Sequence, residues 1–184
     1  IVSSNNATLV DTNALILGAS IVSGDLTITA NGDLTDSGTV AVTGTTSLNV
    51  TGNNITLDDG SNAFSTVSVI SANNATLVDT NALILGASTV SGALNVTAGG
   101  ELTDSGTLAV TGTTFLTAGG NNITLDTGTN NFSTVSVISS NNATLVDTNA
   151  LILGASTVAG ALNITVGGEL TDSGTLAVTG TTFL

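Results

Sequence analysis

NNATLVDTNALILGAS, residues 73–88, stands unchanged at residues 5–20 and again at 141–156. The interval is 68 residues and it governs the whole chain: between 69–116 and 137–184 only four of 48 positions differ, Ala72/Ser140, Ser91/Ala159, Val96/Ile164 and Ala98/Val166. Each exchange is small for small or apolar for apolar. Near-identity at a fixed period belongs to stacked, quasi-one-dimensional proteins, in which each unit covers its neighbour, and not to a globule built around one active site.

Turn residues cut the 68-residue unit into nine short pieces. From Ala93 to Gly160 they read ALNVTAGG, ELTDSG, TLAVTG, TTFLTAGG, NNITLDTGT, NNFSTVSVISS, NNATLVDT, NALILGAS and TVAG. Each has a β-branched, alternating middle bounded by Gly, Asn, Asp or Ser, the pattern of strand then turn. Thr, Val, Ser, Asn and Gly are mediocre helix formers, and no apolar stripe at helical spacing appears.

Substitutions between units fix which face is inside. Leu26, Ile28 and Ala30 become Leu94, Val96 and Ala98, then Leu162, Ile164 and Val166, so these alternate positions point inward. Asp25 becomes Ala93 and Ala161, and Ser47 becomes Phe115 and Phe183; these positions face water. Nine strands divide into three coils of three. The expected fold is all-β, a right-handed parallel β-helix with about 22–23 residues per coil and three coils per 68-residue repeat, roughly eight coils in all. The right hand follows the general crossover preference. Residues 1–184 form one array: a partial repeat over 1–52, a full one over 53–120 and a partial one over 121–184. Ile1 falls in register with Val69 and Val137, so the chain is expected to begin mid-strand and to be a slice of a longer array.

Composition narrows the function. Lys, Arg, His, Cys, Met, Trp, Tyr and Pro are absent, and 13 acids leave a net charge of −13. Soluble domains carry about a quarter charged residues; this chain carries 7%, with 41% hydrophobic content that excludes disorder. No apolar run approaches the ~18 residues of a membrane helix. Without a cation the chain cannot neutralise phosphates or anionic lipid, so nucleic acid and membrane insertion are excluded as partners. Lack of Cys fits export without disulfides, although it fits a reducing compartment too.

The segment GGELTDSGTLAVTGTTFLTAGGNNITL, residues 99–125, resembles the repetitive shafts of filamentous-haemagglutinin-like bacterial surface adhesins of the two-partner-secretion type. The resemblance is one of texture, Gly-Gly turns with LTV and VTG strands, and it covers the whole chain. It implies an exported protein with a right-handed parallel β-helix shaft. The family's secretion domain is not visible, nor is a cell-binding tripeptide, so it implies shaft and not tip.

Acidic turns are the only candidate chemistry. Asp36 and Asp58 are 22 residues apart, as are Asp104 and Asp126, which would stack each pair at one corner of adjacent coils. Such carboxylates either cap their own turns, as Asp before Ser/Thr-Gly commonly does, or bind Ca²⁺ through loose oxygen coordination. Asp11, Asp79 and Asp147 recur once per unit and are read as solvated. Asn pairs beginning at Asn5, Asn53, Asn73, Asn121, Asn130 and Asn141 suit stacked amide ladders. Their sequons, at Asn6, Asn54, Asn74, Asn122 and Asn142, also allow glycosylation. Outward Thr is interrupted by Asn, Ser, Asp and Ala, which breaks the array that ice or crystal-surface binding would need.

Triads lack a base, and a paired-carboxylate glycosidase would lack aromatic or cationic subsites. The reading is therefore no enzyme and no resident cofactor, Ca²⁺ aside. The expected function is a rigid extracellular or cell-surface shaft or filament in an adhesin, coat or biofilm matrix. Its partners would be other copies of itself, surface glycans or proteins. The alternatives are an end-to-end filament subunit and a Ca²⁺-cross-linked matrix protein.

Overall fold

The computed structural model describes residues 3–184; Ile1, expected mid-strand, lies outside them. Twenty-three strands and no helix occur among the described residues. One turn runs through Ser20–Val22, Leu26–Ala30 and Leu34–Asp36 before the chain reaches the next level. Every strand pairing is parallel, as in Ala7↔Leu26, Leu26↔Thr46 and Thr46↔Val67. Parallel partners must be joined by a crossover, and here the crossover is the rest of the coil. The fold is a parallel β-solenoid.

Two long sheets enclose the interior, one of 11 strands and one of 10, and a two-stranded patch lies beside them. Nine hydrogen-bonded steps lead along the first sheet from Ala7–Asp11 to Thr182–Phe183, giving about nine turns. At about 4.8 Å per step the stack is roughly 43 Å long.

Side chains alternate as the substitutions indicate. Leu26, Ile28, Leu94, Val96, Leu116, Leu162 and Ile164 are buried in one continuous core. Asp25 is exposed, and Phe115 and Phe183 are 38% and 59% exposed. Phe64 and Phe132 sit on the other parity and are buried. Inward positions stack like on like: Leu83, Leu102, Ile123, Ala143 and Leu162 occupy successive levels of one row. Each fully buried side chain of this kind contributes about 1.5–3 kcal/mol, and only because the turns above and below cover it.

The coil is shorter than the sequence spacing implied. Partners on adjacent levels are separated by 18 residues at Val67↔Leu85, 19 at Leu83↔Leu102 and 20 at Ser88↔Leu108. An interval of 22 occurs at Val42↔Phe64, where the turn carries the loop from 58 to 62. The Asp36–Asp58 spacing measured that enlarged turn, and most of the others are tighter.

Three coils per repeat is therefore also corrected. Ala7–Asp11 lies in the first sheet, its equivalent Ala75–Asp79 in the second, and Ala143–Asp147 in the first again. Seven steps separate the first from the third of these strands. Two repeats thus make seven turns and one repeat makes three and a half. Consecutive repeats present the same residues on alternate sheets.

A threonine recurs at one inward position of the apolar rows. Thr46 and Thr114, equivalent residues, are fully buried, and their hydroxyls have no hydrogen-bond partner. Thr114 stands between Leu94 and Val135 in its row. An unmet buried hydroxyl costs about 1–3 kcal/mol. Thr114→Val keeps the shape and removes that penalty, so it should stabilise the chain by about 1 kcal/mol, measured as a higher denaturant midpoint at unchanged slope.

Candidate functional site: corner ladders, buried acids and uncharged faces

At one corner, amide side chains link successive turns. Asn54 donates its backbone N–H and Nδ2 to Asp33 Oδ1, at 2.9 and 3.3 Å. Asn54 Oδ1 accepts Nδ2 of Asn74 at 2.9 Å, and Asn74 Oδ1 accepts the Ala93 N–H at 2.8 Å. The next repeat duplicates this through Glu101, Asn122, Asn142 and Ala161. Asn suits the position because one amide both donates and accepts, so the chain of bonds continues. A carboxylate only accepts, and Asp33 and Glu101 terminate their ladders. The sequon amides of Asn54, Asn74, Asn122 and Asn142 are all donated into these bonds, and a glycan on Nδ2 would disrupt them.

Beside the ladder the turns touch backbone to backbone. A Cβ on Gly92 would lie 2.3 Å from Asn74 Oδ1 and 2.8 Å from the Asn73 carbonyl oxygen. A Cβ on Gly112, one level up, would lie 2.5 Å from the Gly92 carbonyl oxygen. These glycines are required by close approach.

The acids read as possible cation ligands form a different kind of site. Asp36 Oδ1 accepts the Asp58 N–H at 3.2 Å; Asp36 Oδ2 accepts the Asp59 N–H at 3.3 Å and Asn62 Nδ2 at 2.6 Å. Asp104 is met likewise by the N–H groups of Asp126 and Thr127 and by Asn130 Nδ2 at 2.6 Å. The structure brings each pair together, with the backbone of Asp58 or Asp126 as the partner of the other carboxylate, while the side chains of Asp58 and Asp126 are exposed. No group of three His, Cys, Asp or Glu side chains able to hold a metal gathers among the described residues.

Sequence reasoning missed the deeper half of this network. Asn62 and Asn130 are fully buried, and their Oδ1 atoms accept the N–H groups of Val40 and Leu108 at 2.7 and 2.8 Å. Asp79 and Asp147, read as solvated, are each only 2% exposed; Asp11 is half-buried. Asp79 Oδ2 accepts the Phe64 N–H and Oδ1 the Asn81 N–H, both at 2.6 Å. Asp147 does the same for Phe132 and Asn149. The signal was present in the strand parity: Ala75 and Leu77 point inward, so Asp79, two residues on, does too. The charge obscured it.

Burial pushes the Asp79 carboxyl above the ordinary value of 3.8, opposed by the N–H bonds from Asn81 and Phe64. A group whose pKa is raised on folding binds its proton more tightly in the native state. Its stabilising contribution is complete below the unfolded pKa and is lost as pH rises through the folded one. Thermal stability should therefore fall as pH is raised from 3.8 towards neutrality, and Asp79→Asn should reduce that slope. Melting curves of both proteins across this range check it.

All 13 acids stand at strand ends or in turns, leaving the outward strand centres uncharged. On the first sheet one outward row reads Ile84, Thr103, Thr124, Thr144, Asn163, Phe183. The equivalent row on the second sheet reads Ile16, Thr35, Thr56, Thr76, Asn95, Phe115.

No curated protein and no solved structure matches the chain. A family model described as "Repeats of unknown function (DUF5649)" matches residues 4–71, 72–139 and 140–184. Its unit has the same 68-residue length found by self-comparison, in a different phase. With all but the first three residues matched, the chain belongs to the DUF5649 repeat family.

Proposed function

We propose that this chain is a rigid structural rod, the shaft of a bacterial surface adhesin, coat or matrix fibre, acting outside the cell and without catalysis. The observation that carries the reading is the continuity of the two long sheets across about nine turns. Each internal turn is hydrogen-bonded to the turn below and the turn above, and one core runs between the sheets. A rod so built has no hinge at the boundaries between repeats. The extracellular and adhesive parts of the proposal rest on the texture of residues 99–125 and on the lack of Cys. The non-enzymatic part rests on the absence of His, Cys and Lys and on the commitment of the Asp36 and Asp104 carboxylates to backbone N–H groups.

Electron microscopy of the chain and of versions lengthened by whole repeats tests this. Straight particles that grow by about 16–17 Å per repeat, three and a half turns at about 4.8 Å, are expected. Particles that bend at repeat boundaries, or whose length does not follow repeat number, would overturn the reading. A cation-cross-linked matrix predicts a lower melting temperature in EDTA; the plain rod predicts no change.

A further inference from the structure

We infer that these rods associate side by side through the uncharged outward faces of the two sheets, with a second copy of the chain as the partner. The inference rests on the rod reading above and names the surface through which the rods meet. A chain with 13 acids and no base cannot join another copy by ion pairs. Lateral contact without a bridging ion needs surface that carries no charge, and the outward strand centres supply it. Large apolar side chains are exposed there: Ile16, Ile84, Phe115, Ile152 and Phe183 are 37% or more exposed.

A second argument selects a copy over a foreign partner. The rows are spaced by the rung repeat of about 4.8 Å. Two rods of the same pitch stay in register however long they are, whereas a partner of another pitch drifts out of step. Because one repeat makes three and a half turns, the same row appears on both sheets. Each rod therefore has two equivalent contact faces, and association extends into a layer instead of stopping at a pair.

Face size sets the expected strength. Strands of three to five residues at about 3.3 Å each, over roughly 43 Å of length, give on the order of 500 Å² per face. A standard interface buries about 800 Å² per partner. This chain should associate weakly, and longer arrays should associate steeply better. Acids along the edges of the faces oppose contact, so salt should promote it, the screening length falling from about 10 Å at 0.1 M to about 3 Å at 1 M.

The test is small-angle scattering with sedimentation velocity on the chain across NaCl concentrations. Thr76→Glu/Thr144→Glu, one charge on each sheet at equivalent positions, is the disrupting variant. Thr35→Glu/Thr103→Glu is a second such pair in case the first fails to fold, as read by circular dichroism. Ser105→Glu, at an exposed turn, is the control. The expected result is a cross-section that at least doubles with salt for the chain and for Ser105→Glu, and stays that of a single rod for the folded face variants. A single-rod cross-section at every salt and protein concentration would overturn the inference, as would face variants that associate like the parent. Growth in length at constant cross-section would also overturn it. Separate straight rods in such a result would leave the shaft reading standing, whereas bent or collapsed particles would remove both.

Discussion

Asn130→Ala should destabilise the chain by on the order of 3–5 kcal/mol, among the largest effects of any single polar substitution here. The side chain is fully buried and joins Asp104, at the end of one strand, to Leu108, at the start of the next. Its Nδ2 bonds Asp104 Oδ2 at 2.6 Å, and its Oδ1 accepts the Leu108 N–H at 2.8 Å. Truncation leaves that N–H buried without an acceptor and takes a donor from a carboxylate, two penalties of about 1–3 kcal/mol each, with a small cavity added. Asn131→Ala, at the exposed neighbour, should stay within about 0.5 kcal/mol of the parent. Urea titration of the three proteins decides it. Equal midpoints for Asn130→Ala and Asn131→Ala would show that the network contributes nothing net. Asn62 occupies the same position one repeat earlier, so Asn62→Ala should cost as much, and the two should add across three and a half turns.

Gly112→Ala is expected to cost about 1–3 kcal/mol or more, by forcing two turns apart. The added methyl would stand 2.5 and 2.6 Å from the Gly92 carbonyl oxygen and carbon and 3.0 Å from the Ala93 nitrogen. All three are backbone atoms, so no side chain can swing aside. The Gly112 N–H bonds the Gly92 carbonyl at 3.0 Å, and that bond would lengthen as the turns separate. Gly128 is the matched contrast, because nothing lies within 4 Å of its would-be Cβ and its φ is not positive. Gly128→Ala should be neutral or slightly stabilising, by up to about 1 kcal/mol, through the entropy of the unfolded chain. Calorimetric melts of both variants separate close approach from conformational freedom. Similar losses at the two glycines would refute the stacking argument.

Much of the fold is legible because alternation along a strand is a local property. Leu94 and Val96 inside with Phe115 outside follow from parity and from which exchanges the repeats tolerate. The Asn ladders were also readable, since an amide recurring at each corner is the residue that bonds to its own kind. The Asp36/Asp58 pairing was found at the right corner, but its partners are backbone N–H groups, and no side-chain inventory displays those. Asp79 was misassigned because ionisable residues are rarely buried unless paired. The Asn81 N–H lies only two residues away, but the Phe64 N–H is brought to the carboxylate from a strand 15 residues earlier in the chain, and that partner is set by the stacking of the turns.

The amino-acid order alone determined that this is a stack of short parallel strands with one dry side, because the 68-residue identity and the two-residue alternation are written along the chain and need no distant partner. Tertiary structure alone decided that a turn takes about 20 residues and that each repeat moves its faces to the other sheet. Turn length is a sum over three corners whose loops differ, and that sum is set where the ring closes upon the level beneath it.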